Sequence, residues 1–70
     1  MKRTALLRKI RGAADEKGVV FELKRQGSEH EQWLCGRRLI AVPRHREVAE
    51  PTARRILKDL QSEFGEGWWR

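Results

Sequence analysis

The sequence predicts an α+β fold in the order α-β-β-β-α, with a three-stranded antiparallel sheet and two helices on one of its faces. Three observations lead to this fold. Apolar residues have helical spacing near both ends of the chain, three short segments between them are typical of strands, and the connections are too short for parallel neighbours. The 70 residues are expected to form a single domain, residues 1–70.

The first helix is expected between Thr4 and Lys17. Thr4 is expected to cap its start, and Gly18 can adopt the left-handed conformation that ends a helix. The apolar stripe of this helix consists of Leu6, Leu7, Ile10, Ala13 and Ala14.

Three strands are expected to follow. Residues 19–25 alternate, so that Val19, Phe21 and Leu23 should face the core. The second strand covers residues 30–35, where Trp33 is more typical of a core residue than of a base-stacking one. The third covers residues 39–42 and ends at Pro43, because proline cannot continue a hydrogen-bonded ladder.

A second helix is expected from Pro51 onward, since proline suits the first turn of a helix. Gly65 and Gly67 should end it, and Trp68 and Trp69 either pack on the domain or enter a partner interface. Both helices should cover the apolar face of the sheet, an architecture that resembles double-stranded RNA-binding domains. The apolar stripe of this second helix consists of Ala53, Ile56, Leu57, Leu60 and Phe64.

The charge of the chain narrows the choice of partners. A formal net charge of +6 and a pI of about 10.5 indicate nucleic acid, an anionic membrane surface or an acidic protein. We expect a cytoplasmic protein, because no apolar run is long enough to span a bilayer and the N-terminus lacks a signal peptide's apolar core. The single Cys35 fits a reducing compartment and is expected to be a half-buried core residue without chemistry.

Three sequence segments carry a family resemblance. "GSEHEQW", "VPRHRE" and "TARRILKDL" resemble, in order and spacing, the HicA-type toxins of bacterial toxin–antitoxin pairs, which are small messenger-RNA-cleaving ribonucleases. The resemblance implies that His30 is the catalytic histidine and that His45 corresponds to the histidine of the family's Pro-x-His motif. It also implies a HicB-type antitoxin as partner. The chain departs from the family at Glu29, where many members have a small or polar residue.

The chemistry of His30 can also be considered from the residues alone. Metal-independent RNA cleavage needs a base for the 2′-hydroxyl proton, and imidazole suits this role because its ordinary pKa is about 6.5. The Gly27–Ser28 turn leaves room for a ribose-phosphate backbone. The alternative is a solvated histidine on a polar strand. Glu29 and Glu31 are expected to point away from His30 and to be solvated.

Basic residues are expected to supply an RNA-binding surface, with Arg44 and Arg46 as the best candidates because they flank His45. His45 itself could orient RNA, act as a second acid or cap a helix. The full set of candidate RNA-binding residues is Arg37, Arg38, Arg44, Arg46, Arg54, Arg55 and Lys58.

The sequence therefore leaves two functions open. The first is an endoribonuclease that cleaves RNA through the 2′-hydroxyl, leaving a cyclic phosphate. The second is a non-catalytic RNA-binding module, because a fold does not determine a function. Cys35, His30 and His45 lack the close paired spacing of a zinc site, so we expect neither a metal nor a small-molecule cofactor.

Overall fold

The computed structural model describes residues 1–70 and contains three helices and three strands. The strands form one antiparallel sheet in the order β1-β2-β3, which confirms the predicted α-β-β-β-α fold. In chain order the elements are α1 (Arg3–Lys17), β1 (Phe21–Gln26), β2 (His30–Cys35), β3 (Arg38–Pro43), α2 (Glu50–Asp59) and α3 (Gln61–Phe64).

One hydrophobic core joins the helices to the inward face of the sheet. Trp33 is partly buried, packs against this core and stacks on Phe21 with ring centroids 4.6 Å apart, as expected for a residue that serves packing. The outward face of the sheet carries no helix. The buried core residues are Leu6, Ile10, Ala14, Phe21, Cys35, Ile40, Val42, Val48, Ala53, Ile56, Leu57, Leu60 and Phe64.

Helix α1 begins one residue earlier than predicted. Lys2 holds the N-cap position with an extended backbone and no side-chain cap, so the prediction of a Thr4 cap is wrong. The reason is a long-range contact: Lys2 forms a bridge with Glu47, and the Arg3 amide donates to the Arg46 carbonyl at 2.9 Å. At the other end Gly18 is left-handed, with φ 66° and ψ 32°, as predicted.

Strand β1 does not keep the strict alternation that the sequence suggested. It begins at Phe21, and its register against β2 shifts between Leu23 and Arg25, so that Lys24 is the extra residue of a β-bulge. Leu23, which precedes the bulge and pairs with Trp33, is 42% exposed on this edge strand. The physical reason for the bulge is the charge of Arg25, because an uninterrupted alternation would have turned this side chain toward the core.

The predicted second helix is broken at Leu60 into α2 and the short α3. The tail that follows packs on the domain, which answers the question left open for Trp68. Its indole Nε1 donates to the Leu57 carbonyl at 2.8 Å, and its ring meets Phe64 edge-on at 4.7 Å. Trp69 lies edge-on to Trp68 at 6.2 Å and is partly exposed.

Glu31 is 7% exposed, so the prediction of a solvated carboxylate is wrong. It faces inward on β2 with Trp33, and its Oε1 accepts from the Trp33 indole at 3.2 Å and from Arg3 Nη2. Arg3 Nε also donates to the Pro43 carbonyl at 2.9 Å. A buried carboxylate is tolerated here because it has both an ion-pair partner and a hydrogen-bond donor.

Cys35 is fully buried and not half-buried as predicted. Burial, and to a smaller extent the negative charge of Glu63, raises the pKa of its thiol from 9.0 to about 11. We expect this thiol to stay unreactive toward a maleimide at pH 8 in the folded protein and to react on unfolding, because the thiolate is the nucleophile. Stoichiometric labelling at the rate of a free thiol would contradict this.

The same shift predicts an alkaline loss of stability. The unfolded thiol ionises near its ordinary pKa of 9.0, whereas the folded thiol holds its proton up to about 11. The folded state therefore binds more protons between these values, and the free energy of unfolding should fall as pH rises through them. Urea unfolding at several pH values gives the free energy of unfolding of the wild-type protein and of the Cys35→Ala variant. The difference between the two isolates the contribution of the thiol from other alkaline titrations. A difference that does not change with pH would contradict the prediction.

Candidate functional site

His30 is exposed at the start of β2, where the backbone is held on two sides. It pairs with Pro43 of β3, and its carbonyl accepts the Gly27 amide at 2.9 Å. Gly27 cannot be replaced without a shift, because a Cβ there would lie 2.8 Å from the His30 carbonyl oxygen. The tight turn and the strand ladder therefore fix the backbone of the histidine while its side chain stays accessible.

The His30 groove is a shallow, open depression on the outward face of the sheet. His30 and Gln32 come from β2, Arg25 from β1 and Ala41 from β3, and residues 27–29 form one end. Gln32 pairs with Arg25 on one side and with Ala41 on the other. Because Ala41 has a small side chain, this part of the sheet is open to a large ligand.

The two glutamates beside His30 have different surroundings. Glu31 lies on the opposite face from His30, as predicted, but in the core. Glu29 precedes the first residue of β2, so strand alternation does not apply to it, and it lines the same groove as His30. Glu29 is exposed, which confirms the prediction that it is solvated, and its direction relative to His30 stays a prediction.

Arg44 connects the β3–α2 loop to the turn before His30. Its Nη1 donates to the Gly27 carbonyl at 2.7 Å, and its amide donates to the Glu29 carbonyl at 2.9 Å. His45 follows in an exposed bend and does not line the His30 groove. The structure thus brings Arg44 to the turn that precedes His30, and it leaves His45 outside the His30 groove.

The candidate RNA-binding residues fall into three separate groups. Arg44 and Arg46 line a cleft with the start of α1, which we call the N-terminal cleft and which consists of Lys2, Arg3, Thr4, Arg44, Arg46 and Glu47. A second groove along α2 contains Arg54, Arg55 and Lys58 together with Glu50 and Asp59. Arg37 and Arg38 lie at the far end of β2 from His30, and Arg38 pairs with Asp59 at 3.5 Å.

Sequence reasoning missed Arg25 in the groove itself, and it left Lys2 and Arg3 of the N-terminal cleft undecided between RNA or partner binding and plain solubility. A sign of Arg25 was present in the sequence, because simple alternation through Val19, Phe21 and Leu23 would bury an arginine. A bulge before Arg25, which turns its side chain toward solvent, therefore costs less free energy than burying the charge. Nothing comparable marked Lys2 and Arg3, whose cleft depends on contacts with residues 44–47.

None of the three helices combines the length and the hydrophobicity needed to cross a bilayer. No three His, Cys, Asp or Glu residues are grouped so that they could hold a metal ion. Comparison of the chain with protein-family models, curated proteins and solved structures gave no match. The fold and the site thus define a small α+β domain with an accessible histidine in a groove on an uncovered sheet face.

Proposed function

We propose that this protein is a HicA-type toxin, a metal-independent endoribonuclease that cleaves messenger RNA with His30 as catalytic acid and base. The observation that carries the proposal is the environment of His30. Its backbone is fixed by the ladder to Pro43 and by the Gly27 amide, while its side chain is exposed in an open groove. The three sequence segments that resemble the HicA family support it.

The proposed reaction is a transphosphorylation. His30 accepts the proton of a ribose 2′-hydroxyl, the 2′-oxygen forms a bond to phosphorus, and the bond from phosphorus to the 5′-oxygen breaks. The imidazolium then returns the proton to the leaving 5′-oxygen. This leaves a 2′,3′-cyclic phosphate and a 5′-hydroxyl, and the route needs no metal.

The groove favours unpaired RNA. It lies on the open face of a sheet, so that a single strand can bring its backbone to the accessible histidine. A net charge of +6 supplies general attraction to phosphate, and the N-terminal cleft reaches the His30 turn through Arg44.

The proposal is tested by incubating the purified protein with a labelled transcript in EDTA, beside a matched transcript with 2′-deoxyribose at each cleaved position. Cleavage of the ribose form to cyclic phosphate ends, with no cleavage of the deoxy form, is the expected result. Cleavage of both forms at equal rates, or no cleavage of either, would overturn the proposed reaction.

A HicB-type antitoxin protein is the proposed partner, in the cytoplasm. The net charge of +6 favours an acidic contact surface, because complementary charge speeds association. To inhibit cleavage, such a protein must cover the His30 groove or the path of RNA beside it. Co-expression with the neighbouring open reading frame should yield a complex that no longer cleaves RNA, and a complex with full activity would contradict this mechanism.

A non-catalytic RNA-binding module is the second candidate function. It is favoured by the N-terminal cleft, whose cations Lys2, Arg3, Arg44 and Arg46 are grouped without His30. If this candidate is correct, the transcript is bound and not cleaved. An Arg44→Ala/Arg46→Ala variant should then lower the dependence of log K on log salt by about 0.7 for each lost phosphate contact.

A further inference from the structure

Arg25 is the one arginine or lysine side chain that the chain places in the His30 groove. All seven basic residues predicted from the sequence to contact RNA lie elsewhere, and only Arg44 contacts the turn beside the groove. Cleavage of a phosphodiester develops additional negative charge on the phosphate oxygens, and a preorganised cation next to them is a large source of rate enhancement.

The bulge in β1 determines where Arg25 points. Phe21 and Leu23 pair with the inward-facing Cys35 and Trp33, and one extra residue then shifts the register. As a result Arg25 lies opposite Gln32, on the same face as His30. Bulges are frequent next to active sites, where they turn a side chain to a new direction.

Arg25 is also free to bind an anion. Its side chain is exposed and makes neither a hydrogen bond nor an ion pair within the protein. Its neighbour Lys24 is different, because its Nζ donates to Glu22 at 3.1 Å. The bulge therefore carries two cations, of which one is paired by a carboxylate and the other lies unpaired beside His30.

We propose that Arg25 is the anion-binding residue of the His30 groove, where its guanidinium binds the phosphodiester on which His30 acts. This inference rests on the proposed function. A guanidinium offers a planar fork of donors that matches two phosphate oxygens, and it stays charged at any pH at which the histidine functions. Arg25 thus binds the phosphate and stabilises its developing charge, while His30 moves the proton.

The matched test compares Arg25→Ala with Lys24→Ala, since both remove one exposed cation from the same bulge. Arg25→Ala should lower kcat by about 10²–10³-fold, the usual cost of removing one donor to a developing oxyanion. Arg25→Lys should recover part of this loss, and Lys24→Ala should cleave at close to the wild-type rate. Thermal unfolding of each variant checks that the fold is retained.

A second readout does not depend on cleavage. Inorganic phosphate is titrated into the protein while the imidazole NMR signals of His30 and His45 are followed. The His30 signals should move saturably, because a phosphate bound by Arg25 changes the electrostatic surroundings of the imidazole. This response should be lost in Arg25→Ala and kept in Lys24→Ala, with His45 as the internal reference.

The outcomes separate this inference from the proposed function. If His30→Ala is inactive while Arg25→Ala cleaves at the wild-type rate, the role of Arg25 is overturned and the proposed function stands. If His30→Ala retains full activity, the proposed function is overturned, and the phosphate titration decides on Arg25 alone. A His30 response that persists unchanged in Arg25→Ala overturns the anion site.

Discussion

Replacing His30 with alanine is expected to lower the rate of RNA cleavage by about 10²–10⁴-fold, the usual contribution of a general acid–base group. The fold should survive, because the imidazole is exposed and makes no hydrogen bond within the protein. Single-turnover cleavage of a labelled transcript measures the loss. In cells, the same variant should no longer inhibit growth at equal expression.

His45→Ala is the matched control for this experiment. Both histidines are exposed, but His45 does not line the His30 groove. The proposed roles predict a much smaller effect of the His45 substitution on the chemical step. Equal losses from both substitutions would make the two histidines a catalytic pair, and wild-type toxicity of His30→Ala would remove the proposed catalytic role altogether.

Replacing Glu31 with alanine is expected to lower the free energy of unfolding by about 2–4 kcal/mol, because it leaves the Arg3 guanidinium and the Trp33 indole without their acceptor. The value is placed toward the lower end of the range for broken buried ion pairs. The Arg3 side chain is 21% exposed and can turn toward water. Urea unfolding followed by tryptophan fluorescence measures the change.

Glu16→Ala is the control, since it removes an exposed carboxylate from α1 and should change stability by less than about 0.5 kcal/mol. A double-mutant cycle with Arg3→Ala isolates the energy of the pair. If Glu31→Ala were as stable as Glu16→Ala, the buried ion pair would make no net contribution, and burial of the carboxylate would have no measurable structural benefit.

Local rules were sufficient to predict most of the fold. The end of α1 at Gly18, the strand β2 and the placement of Pro51 in the first turn of α2 each follow from a residue and its immediate neighbours. The order of elements then followed from hydrophobic periodicity and short connections. The choice of His30 as the catalytic residue came instead from the resemblance to the HicA family, and it stays a prediction.

The features that escaped prediction depend on residues far apart in the chain. Glu31 is buried because Arg3, 28 residues earlier, reaches it from the first turn of α1. Trp68 packs on the domain through a hydrogen bond to the Leu57 carbonyl, 11 residues earlier in the chain. The sequence shows that a charged residue lies on a strand, but the partner that makes its burial tolerable is determined only by the folded arrangement.

The contacts of Arg3 also bear on the kinetics of folding. Its bond to the Pro43 carbonyl closes a loop of 40 residues, and the neighbouring bonds to residues 46 and 48 close loops of similar length. Closing such a loop costs about 3 kcal/mol of chain entropy before these contacts stabilise anything. We therefore expect the start of α1 to dock late, after the sheet has formed. The chain is expected to refold on the millisecond timescale of mixed α/β domains, more slowly than helical bundles of the same size.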